Sequence, residues 1–288
     1  MKRALDLVAV VLLASGLIAC SATGNQNGKG TGQSTYERVI SSGILRCGYV
    51  SYPPGFMKDP NTGKASGVFV DIMEASAKNL RLRLEWTEEV GWGSMIEGLQ
   101  ADRYDAICSP VWANSSRARL ADFGPPIYYS AIGAYVRKGD KRFQDLSKLN
   151  NPGVRIATID GEMSSIIAAS DFPQAQTVSS PQLSDNSQLL LNVASGRADV
   201  TFVEPYIAAL YLKNQPNAVE NIAANSPVRF FPTTIMFRKN EAAFGSMLAV
   251  AIQEQINSGA LSQAFAKYQV PQNSLLKPAL PYRTDNSN

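Results

Sequence analysis

One local pattern occurs twice in the sequence, and this repeat limits the folds that the chain can adopt. The segments LQADRYDAI (residues 99–107) and VASGRADVT (193–201) each place an Arg-x-Asp step at the start of an apolar run. Around both segments, short apolar runs alternate with amphipathic stretches of helical period. Strands that alternate with helices are typical of a parallel sheet covered on both faces. We therefore predict two similar α/β units, in which Asp105 and Asp199 form turns at strand entry.

The predicted elements can be placed along the chain. In the first unit, strands are expected at 44–50, 81–86 and 104–111, and helices at 67–80 and 92–99. In the second unit, strands are expected at 154–159, 177–180 and 198–203, and helices at 162–169 and 186–194. A later helix has an apolar face from Phe244 to Ile256 and stops at Gly259, and another helix follows it. We expect these terminal helices to pack on the first unit.

Residues 36–282 are more than one hydrophobic core usually organises, so we predict two lobes. The chain would cross between them twice, near 128–131 and 232–234, and two extended crossings form a hinge. The carboxyl ends of the strands would then face one cleft, where open α/β sheets bind ligands. The predicted lobes are residues 36–129 plus 233–282 for lobe 1 and residues 130–232 for lobe 2.

The N-terminus has the pattern of a secretory signal. Two basic residues precede an apolar run from Leu7 to Ala19, which is shorter than the ~20 residues of a membrane-spanning helix. We predict that residues 1–19 are a signal peptide. The segment 20–35 is rich in Gly, Ser and Asn, which predicts a flexible tether. The polar end at 283–288 is predicted to be a disordered tail.

Composition excludes several kinds of chemistry. The chain has no histidine, which excludes Ser-His-Asp and Cys-His catalysis and most zinc sites. Loss of the signal peptide removes two basic residues and one acidic residue, so the formal charge falls from +3 to about +2. Basic clusters are absent, so we expect no nucleic-acid partner, and we also expect no metal and no cofactor. Cys47 and Cys108 form a disulfide or remain as two packed thiols.

Arg117 is a candidate ligand-binding residue because of its position. It follows the predicted strand at 104–111 and lies in the first turn of a short amphipathic segment, with Asn114 or Ser115 as the cap. A guanidinium beside the free N–H groups of a helix start is suited to bind an anion. Alternatively, Arg117 is a surface residue that pairs with Asp122 or with another carboxylate of the helix.

Six segments in a fixed order give a resemblance to a known family. They are GILRCGYVSYPP, GVFVDI, DRYDAI, NSSR with DFGPPIYY, SGRADV and SGALSQAFAKY, within residues 36–270. In this order they resemble the family 3 extracellular solute-binding proteins, the polar amino acid receptors of bacterial ABC importers. The resemblance implies a bilobal type II periplasmic-binding fold that closes on a small polar solute and presents it to a membrane permease. We expect a monomer.

The resemblance also implies the roles of the two charged residues. Arg117 matches the arginine that holds the α-carboxylate of the solute through paired donors, which lysine cannot copy. Glu204, directly after the strand at 198–203, matches the acidic residue that receives the α-ammonium group. Because the two charged residues lie on opposite lobes, both can contact the two charged groups of a zwitterion only when the cleft is closed. Binding would therefore stabilise the closed state. Alternatively, Glu204 caps the helix that begins at Pro205.

Three aromatic residues, Tyr52, Trp92 and Trp112, match positions that sandwich the side chain of the solute in this family. Trp92 opens its predicted helix, and Trp112 falls in the turn after its predicted strand. Their rings could hold an aromatic, amide or cationic group, or each could be ordinary core packing. Ser109, at the end of its strand, can supply a hydroxyl and a backbone group.

Two departures from the family pattern bear on the solute. Gly161-Glu162-Met163 stands where the family often has glycine followed by two hydroxyl residues. We expect Glu162 to point to solvent, so that the backbone N–H groups at Gly161 and Met163 bind the carboxylate. Val50 and Ser51 stand where binders of basic amino acids carry an acid. The sequence therefore predicts a neutral or aromatic amino acid or a related amine.

The signal ends in Leu-Ile-Ala-Cys, which resembles the lipobox of bacterial lipoproteins and implies acylation of Cys20. An ordinary cleaved signal is the alternative. We expect the protein in the periplasm or at the cell surface, anchored to the membrane by lipid.

An enzyme of the same fold is the alternative function. Periplasmic dehydratases that act on cyclohexadienyl acids resemble these receptors and use buried carboxylates, so Glu162 and Glu204 in one cleft could serve. We favour a receptor without catalytic residues, because a lipid tether and an arginine placed for a free carboxylate are what a receptor needs.

Overall fold

The computed structural model describes residues 33–279 of the chain. The predicted signal peptide, Cys20 and the tail at 283–288 lie outside the described residues. Helix α1 spans Thr35–Ser42, and Ser34 and Glu37 form a reciprocal capping box at its start. The predicted tether therefore extends one residue too far, because Thr35 belongs to α1. Within the described residues, no helix has the length and apolar character needed to cross a bilayer.

The elements alternate as the sequence predicts. The first part of the chain contains β1 Ile44–Tyr49, β2 Met57–Lys58, β3 Ala65–Ser66, α2 Val68–Asn79, β4 Arg83–Glu89, α3 Met95–Gln100, β5 Ala106–Trp112, α4 Ser115–Ala118 and β6 Ala121–Phe123. The middle contains β7 Tyr128–Arg137, a 3₁₀ turn at Leu146–Leu149, β8 Arg155–Ile159, α5 Met163–Asp171, β9 Gln176–Ser180, α6 Ser187–Ala194, β10 Val200–Val203, α7 Pro205–Asn214 and β11 Val219–Asn221. The last part contains β12 Arg229–Arg238, α8 Ala242–Asn257, α9 Ala260–Lys267 and β13 Leu275–Leu276.

Two predicted boundaries are wrong near the cleft. Helix α3 begins at Met95, so Trp92 lies before the helix and does not open it. Strand β5 continues through Trp112, because Trp112 is paired with Thr233 of β12. Trp112 therefore lies in a strand and not in a turn.

A mixed sheet runs through both halves of the molecule in the order β4-β1-β5-β12-β7-β10-β8-β9. Strand β1 is parallel to β4 and β5, and β8 is parallel to β9 and β10. The long strands β7 and β12 lie between these two parallel groups and are antiparallel to each other, with Tyr128 opposite Thr233 and Ile132 opposite Arg229. These two strands are the two predicted crossings. We call the β4-β1-β5 half lobe 1 and the β10-β8-β9 half lobe 2; the residue limits of the lobes given above stay a prediction.

The C-terminal helices return to lobe 1. Phe244, Leu248 and Ile252 of α8 are fully buried and belong to the same hydrophobic cluster as Phe69 of α2. Helix α9 contributes Leu261 to this cluster. The chain thus leaves lobe 1 through β7 and returns through β12, which leaves the two halves joined by adjacent strands.

The two Arg-x-Asp steps place their aspartates in equivalent buried positions. In lobe 1, the backbone N–H of Arg46 donates to the Asp105 carboxylate over 2.7 Å, and the Arg46 guanidinium donates to the same carboxylate over 2.8 Å. In lobe 2, Arg155 makes the same two kinds of bond to Asp199, at 2.9 Å and 3.1 Å. As predicted, Asp105 and Asp199 each lie in a bend directly before their strands β5 and β10, and each one also binds the neighbouring parallel strand.

Cys47 on β1 and Cys108 on β5 form a disulfide, with their Cα atoms 5.5 Å apart. Both residues are fully buried. Of the two alternatives that the sequence left open, the structure therefore shows the bonded one, and the bond joins neighbouring strands of lobe 1.

Candidate functional site

The candidate site lies where the carboxyl ends of strands from both lobes meet. Trp112 ends β5 and Tyr52 follows β1 in lobe 1, while Gly161 follows β8 and Glu204 follows β10 in lobe 2. Residues that are far apart in the chain make contact there: Tyr52 donates a hydrogen bond to Glu204, and Arg117 donates one to Gly161.

Arg117 is buried at the boundary between the lobes, with only 7% of its surface exposed. Its backbone N–H donates to Oδ1 of Asn114 over 3.0 Å, so Asn114 is the cap of α4. The guanidinium donates through Nη1 to the Trp112 carbonyl over 3.2 Å and through Nη2 to the Gly161 carbonyl over 2.8 Å. Asp122 pairs with Lys239 instead. The alternative of a surface ion pair is therefore wrong for Arg117.

Glu204 is also buried, with 2% exposure, and it lies at the N-cap of α7. Its side chain makes no capping hydrogen bond. The carboxylate instead accepts a hydrogen bond from the Tyr52 hydroxyl of lobe 1 and lies beside Ser130 and Trp112. The capping alternative is therefore wrong, because the side chain is directed to the boundary between the lobes.

Three buried aromatic rings form one wall of the site. Trp92 and Trp112 stack with their centroids 4.9 Å apart, and Tyr52 lies edge-on to both rings at 5.8 Å and 5.0 Å. The Arg117 guanidinium carbon lies 6.0 Å from the Trp92 ring centroid. The three residues that the sequence selected individually thus pack against one another and beside the buried cation.

A chain of hydroxyl groups connects this wall to the crossing strands. The Trp112 indole N–H donates to the Ser130 hydroxyl over 3.3 Å, and the Ser130 hydroxyl lies 2.8 Å from that of Thr233. Ser130 belongs to β7 and Thr233 to β12. The aromatic wall is therefore attached to both strands of the predicted hinge.

Ser109 and Met163 are placed differently from the other candidates. The Ser109 hydroxyl is fully buried and accepts a hydrogen bond from the Val50 backbone N–H over 2.8 Å. No described contact joins Ser109 to Arg117 or Glu204. Met163 is the first residue of α5, and its side chain is buried in the hydrophobic core.

The two lobes approach each other most closely at backbone groups. Gly161 has a φ of +73°, and a Cβ atom there would lie only 2.8 Å from the backbone nitrogen of Gly93. Gln182 of lobe 2 was not selected from the sequence, yet its Oε1 accepts a hydrogen bond from the Gly93 N–H over 2.9 Å. The glycines at 91 and 93, which flank Trp92, are the sequence signal for this close approach between the lobes. A Cβ atom at either position would lie close to the Gln182 side chain.

Glu162 is fully buried, so the prediction that it points to solvent is wrong. It is the N-cap of α5, and its Oε2 accepts hydrogen bonds from the Ser164 backbone N–H over 2.6 Å and from the Ser164 hydroxyl over 2.5 Å. A capping carboxylate bends back over the first turn of its helix, and here Gly161 brings that turn against Gly93 of lobe 1. Oε1 of Glu162 is buried and has no hydrogen-bond partner among the described residues.

The site thus contains one guanidinium and two carboxyl groups. Burial raises the pKa of Glu162 to about 7; the hydrogen bonds from Ser164 oppose the shift and the nearby Glu204 adds to it. Burial also raises the pKa of Glu204, against the effect of the hydrogen bond from Tyr52. Burial lowers the pKa of Arg117 to about 10, and the Glu162 carboxylate opposes that shift. Among the described residues, no group of three or more acidic or cysteine side chains is placed to hold a metal ion.

We expect Glu162→Gln to raise the melting temperature at about pH 8 and to leave it nearly unchanged at about pH 5. The folded pKa of about 7 lies above the ordinary value of 4.5, so the folded state binds the extra proton and stability falls as the pH rises through this window. The shift corresponds to at most about 3 kcal/mol. Thermal unfolding at several pH values measures this effect.

The matched control for that experiment is Asp160→Asn, which removes an exposed carboxyl group from the same loop. It removes no buried charge, so it should not reproduce the rise in melting temperature that is expected for Glu162→Gln at about pH 8. A Glu162→Gln protein whose melting temperature follows the wild-type pH profile would show that Glu162 does not titrate between these pH values.

The similarity of this chain to known proteins covers both lobes. A family model described as bacterial extracellular solute-binding proteins, family 3, matches residues 45–271. The L-cystine-binding protein TcyA of Bacillus subtilis is 25% identical over 276 residues, which cover 93% of this chain and 97% of that protein. A probable amino-acid ABC transporter-binding protein of Haemophilus influenzae is 26% identical over 233 residues, covering 79% of this chain and 85% of that protein.

A solved structure of an amino acid-binding protein has a similar fold. It is the crystal structure of an ancestral amino acid-binding protein that is a precursor of cyclohexadienyl dehydratase, with a TM-score of 0.71 and 25% identity, covering 82% of this chain and 99% of that chain. The segment matched by the family model contains all the residues of the candidate site.

Proposed function

Because the chain belongs to the bacterial extracellular solute-binding proteins of family 3, we propose that it is the receptor of an ABC importer for an amino acid or a related amine. It closes on the solute and delivers it to a membrane permease. The amino-acid-binding relatives support this proposal. Family membership places the protein in the periplasm or at the cell surface. The lipid anchor at Cys20 and the monomeric state stay predictions.

The observation that carries the proposal is the meeting of charged side chains from opposite lobes in one buried site. Arg117 of lobe 1 is bonded to Gly161 of lobe 2, and Tyr52 of lobe 1 is bonded to Glu204 of lobe 2. The guanidinium keeps further N–H donors for a carboxylate, and Glu204 is the acceptor for an ammonium group. A solute that joins these residues stabilises the closed state because it contacts both lobes at once.

Closure requires a joint between the lobes, and β7 with β12 supplies it. The two strands are the adjacent crossings, and they are hydrogen-bonded to each other from Tyr128 and Thr233 to Ile132 and Arg229. Small changes of twist along this pair move the strand ends that carry the site residues apart or together.

The solute predicted from the sequence is a neutral or aromatic amino acid or a related amine, and the stacked rings of Trp92 and Trp112 suit its side chain. That prediction assumed that Glu162 points to solvent. Since Glu162 is buried, the choice between neutral and charged solutes depends on this carboxyl group as well as on the rings.

A thermal-shift screen of the standard amino acids and simple amines tests the proposed function. We expect at least one compound to raise the melting temperature, because a ligand at about 100 times its Kd stabilises a protein by about 2.7 kcal/mol. Calorimetric titration of that compound then gives its affinity and stoichiometry. A screen in which no amino acid or amine changes the melting temperature would contradict a receptor for such solutes.

A dehydratase-like enzyme is the second candidate, because Glu162 and Glu204 are two buried carboxyl groups with raised pKa values in one site. Opposing this candidate, cyclohexadienyl acids are anions, and a single guanidinium faces two acidic groups here. Incubation of the purified protein with prephenate distinguishes the two functions. Turnover that disappears in Glu204→Gln would replace the receptor by the enzyme.

A further inference from the structure

The burial of Glu162 changes the charge that the site presents to a solute. Arg117 carries one positive charge, whereas Glu162 and Glu204 can carry two negative charges. The hydrogen bonds described for these three side chains involve no other charged residue. A zwitterion adds one charge of each sign and leaves the ionised site with one uncompensated negative charge. Burying an uncompensated charge is costly, so a solute with a net positive charge matches this site better.

One atom of Glu162 is available for such a solute. Oε2 is used by Ser164, whereas Oε1 is buried and has no hydrogen-bond partner among the described residues. Buried polar atoms nearly always have a partner, so an unpartnered acceptor indicates a position for a donor that comes from outside the chain. Glu162 directly follows Gly161, whose carbonyl accepts a hydrogen bond from Arg117 of lobe 1 over 2.8 Å. Glu162 is therefore part of the loop that meets the buried cation.

The aromatic wall favours the same class of solute. Trp92 and Trp112 stack on each other, Tyr52 lies edge-on to both, and the Arg117 guanidinium carbon lies 6.0 Å from the Trp92 ring centroid, so this wall already lies beside one buried cation. A cation is attracted to the face of an aromatic ring, and the attraction is stronger when water is excluded. All three rings are buried, which meets that condition.

We propose that Glu162 is the acceptor for a cationic side chain and that the solute is an amino acid with a net positive charge. Arg117 binds its α-carboxylate, Glu204 binds its α-ammonium group, and Oε1 of Glu162 accepts a hydrogen bond from the second cationic group. This inference rests on the proposed receptor function and corrects the neutral solute that the sequence predicts. The sequence pointed away from basic amino acids because Val50 and Ser51 are not acidic, whereas the structure supplies the second acid from the other lobe.

Matched pairs of solutes test the inference without any change to the protein. The members of each pair have nearly the same shape and differ in charge: arginine and citrulline, lysine and norleucine, ornithine and norvaline. We expect calorimetric titration at about pH 8, where Glu162 is ionised, to show at least about 10-fold tighter binding of the cationic member in one or more pairs.

Two variants then assign the preference to Glu162. Glu162→Gln keeps the shape of the side chain and removes its charge, so the affinity ratio within the preferred pair should fall to about one. Asp160→Asn removes an exposed carboxyl group from the same loop and should leave the ratio unchanged. A thermal unfolding curve verifies that each variant is folded.

The outcomes separate this inference from the proposed function. If a neutral member binds as tightly as its cationic partner, or if Glu162→Gln keeps the cationic preference, the inference is wrong and the receptor function stands. If no amino acid or amine binds to the wild-type protein, the proposed function fails and the inference fails with it.

Discussion

Solute binding is expected to disappear in Arg117→Ala, with an affinity loss of at least about 100-fold in calorimetric titration. Two contributions are lost together. The guanidinium supplies paired, charge-assisted donors to the carboxylate of the solute, and removal of one partner of a buried charge pair costs about 2–5 kcal/mol. The side chain also donates to the Gly161 carbonyl of lobe 2, so its removal weakens the closed state even without solute.

The same substitution should change stability little in the absence of solute. Arg117 makes two hydrogen bonds to carbonyl groups, but it is a buried cation without a hydrogen-bonded carboxylate, so loss of the bonds is offset by release of the buried charge. Arg119→Ala is the matched control, because Arg119 is exposed two positions later, and it should bind as the wild type does. Arg117→Lys should bind weakly, since lysine lacks the paired donors. Binding by Arg117→Ala within a few-fold of the wild type would show that the carboxylate is held elsewhere.

Replacement of both Cys47 and Cys108 by alanine should lower the free energy of unfolding by about 4 kcal/mol. The disulfide spans a sequence separation of 61 residues, and opening a loop of this size returns considerable conformational freedom to the unfolded chain. Urea unfolding of the oxidised protein and of the double variant measures the difference. The wild-type protein under reducing conditions should behave as the variant does. A difference below about 1 kcal/mol would mean that the unfolded chain gains little freedom from the loss of the bond.

The sequence predicts the order of elements well because periodicity is a local property. The strands and helices of both units were placed close to their observed bounds, and the pairing of β7 with β12 follows from the return of the chain to lobe 1. Predicted element boundaries are wrong where pairing with a strand that is distant in the sequence determines the end of an element. Trp112 lies in a strand because Thr233 pairs with it, and nothing near Trp112 in the sequence shows this.

The sequence predicts part of the candidate site, because the end of a strand can be located from local periodicity. Arg117 and Glu204 each follow the carboxyl end of a strand, and the structure brings both to the boundary between the lobes. Their roles in binding stay predictions. The burial of Glu162 depends on the approach of Gly93 from the other lobe, and the contact of Gln182 depends on the same approach. Neither is encoded in the residues next to them.

The connection from Trp112 through Ser130 to Thr233 has a practical consequence. The indole is bonded to β7, one of the two strands of the predicted hinge, and it is fully buried next to the position proposed for the solute. Its fluorescence emission therefore depends on how far the lobes have closed. Rapid mixing with a solute can follow the rate of closure in the unlabelled protein through Trp112 and Trp92, which stack on each other. Trp86, which lies away from the site against Tyr49 and Phe56, contributes a constant background.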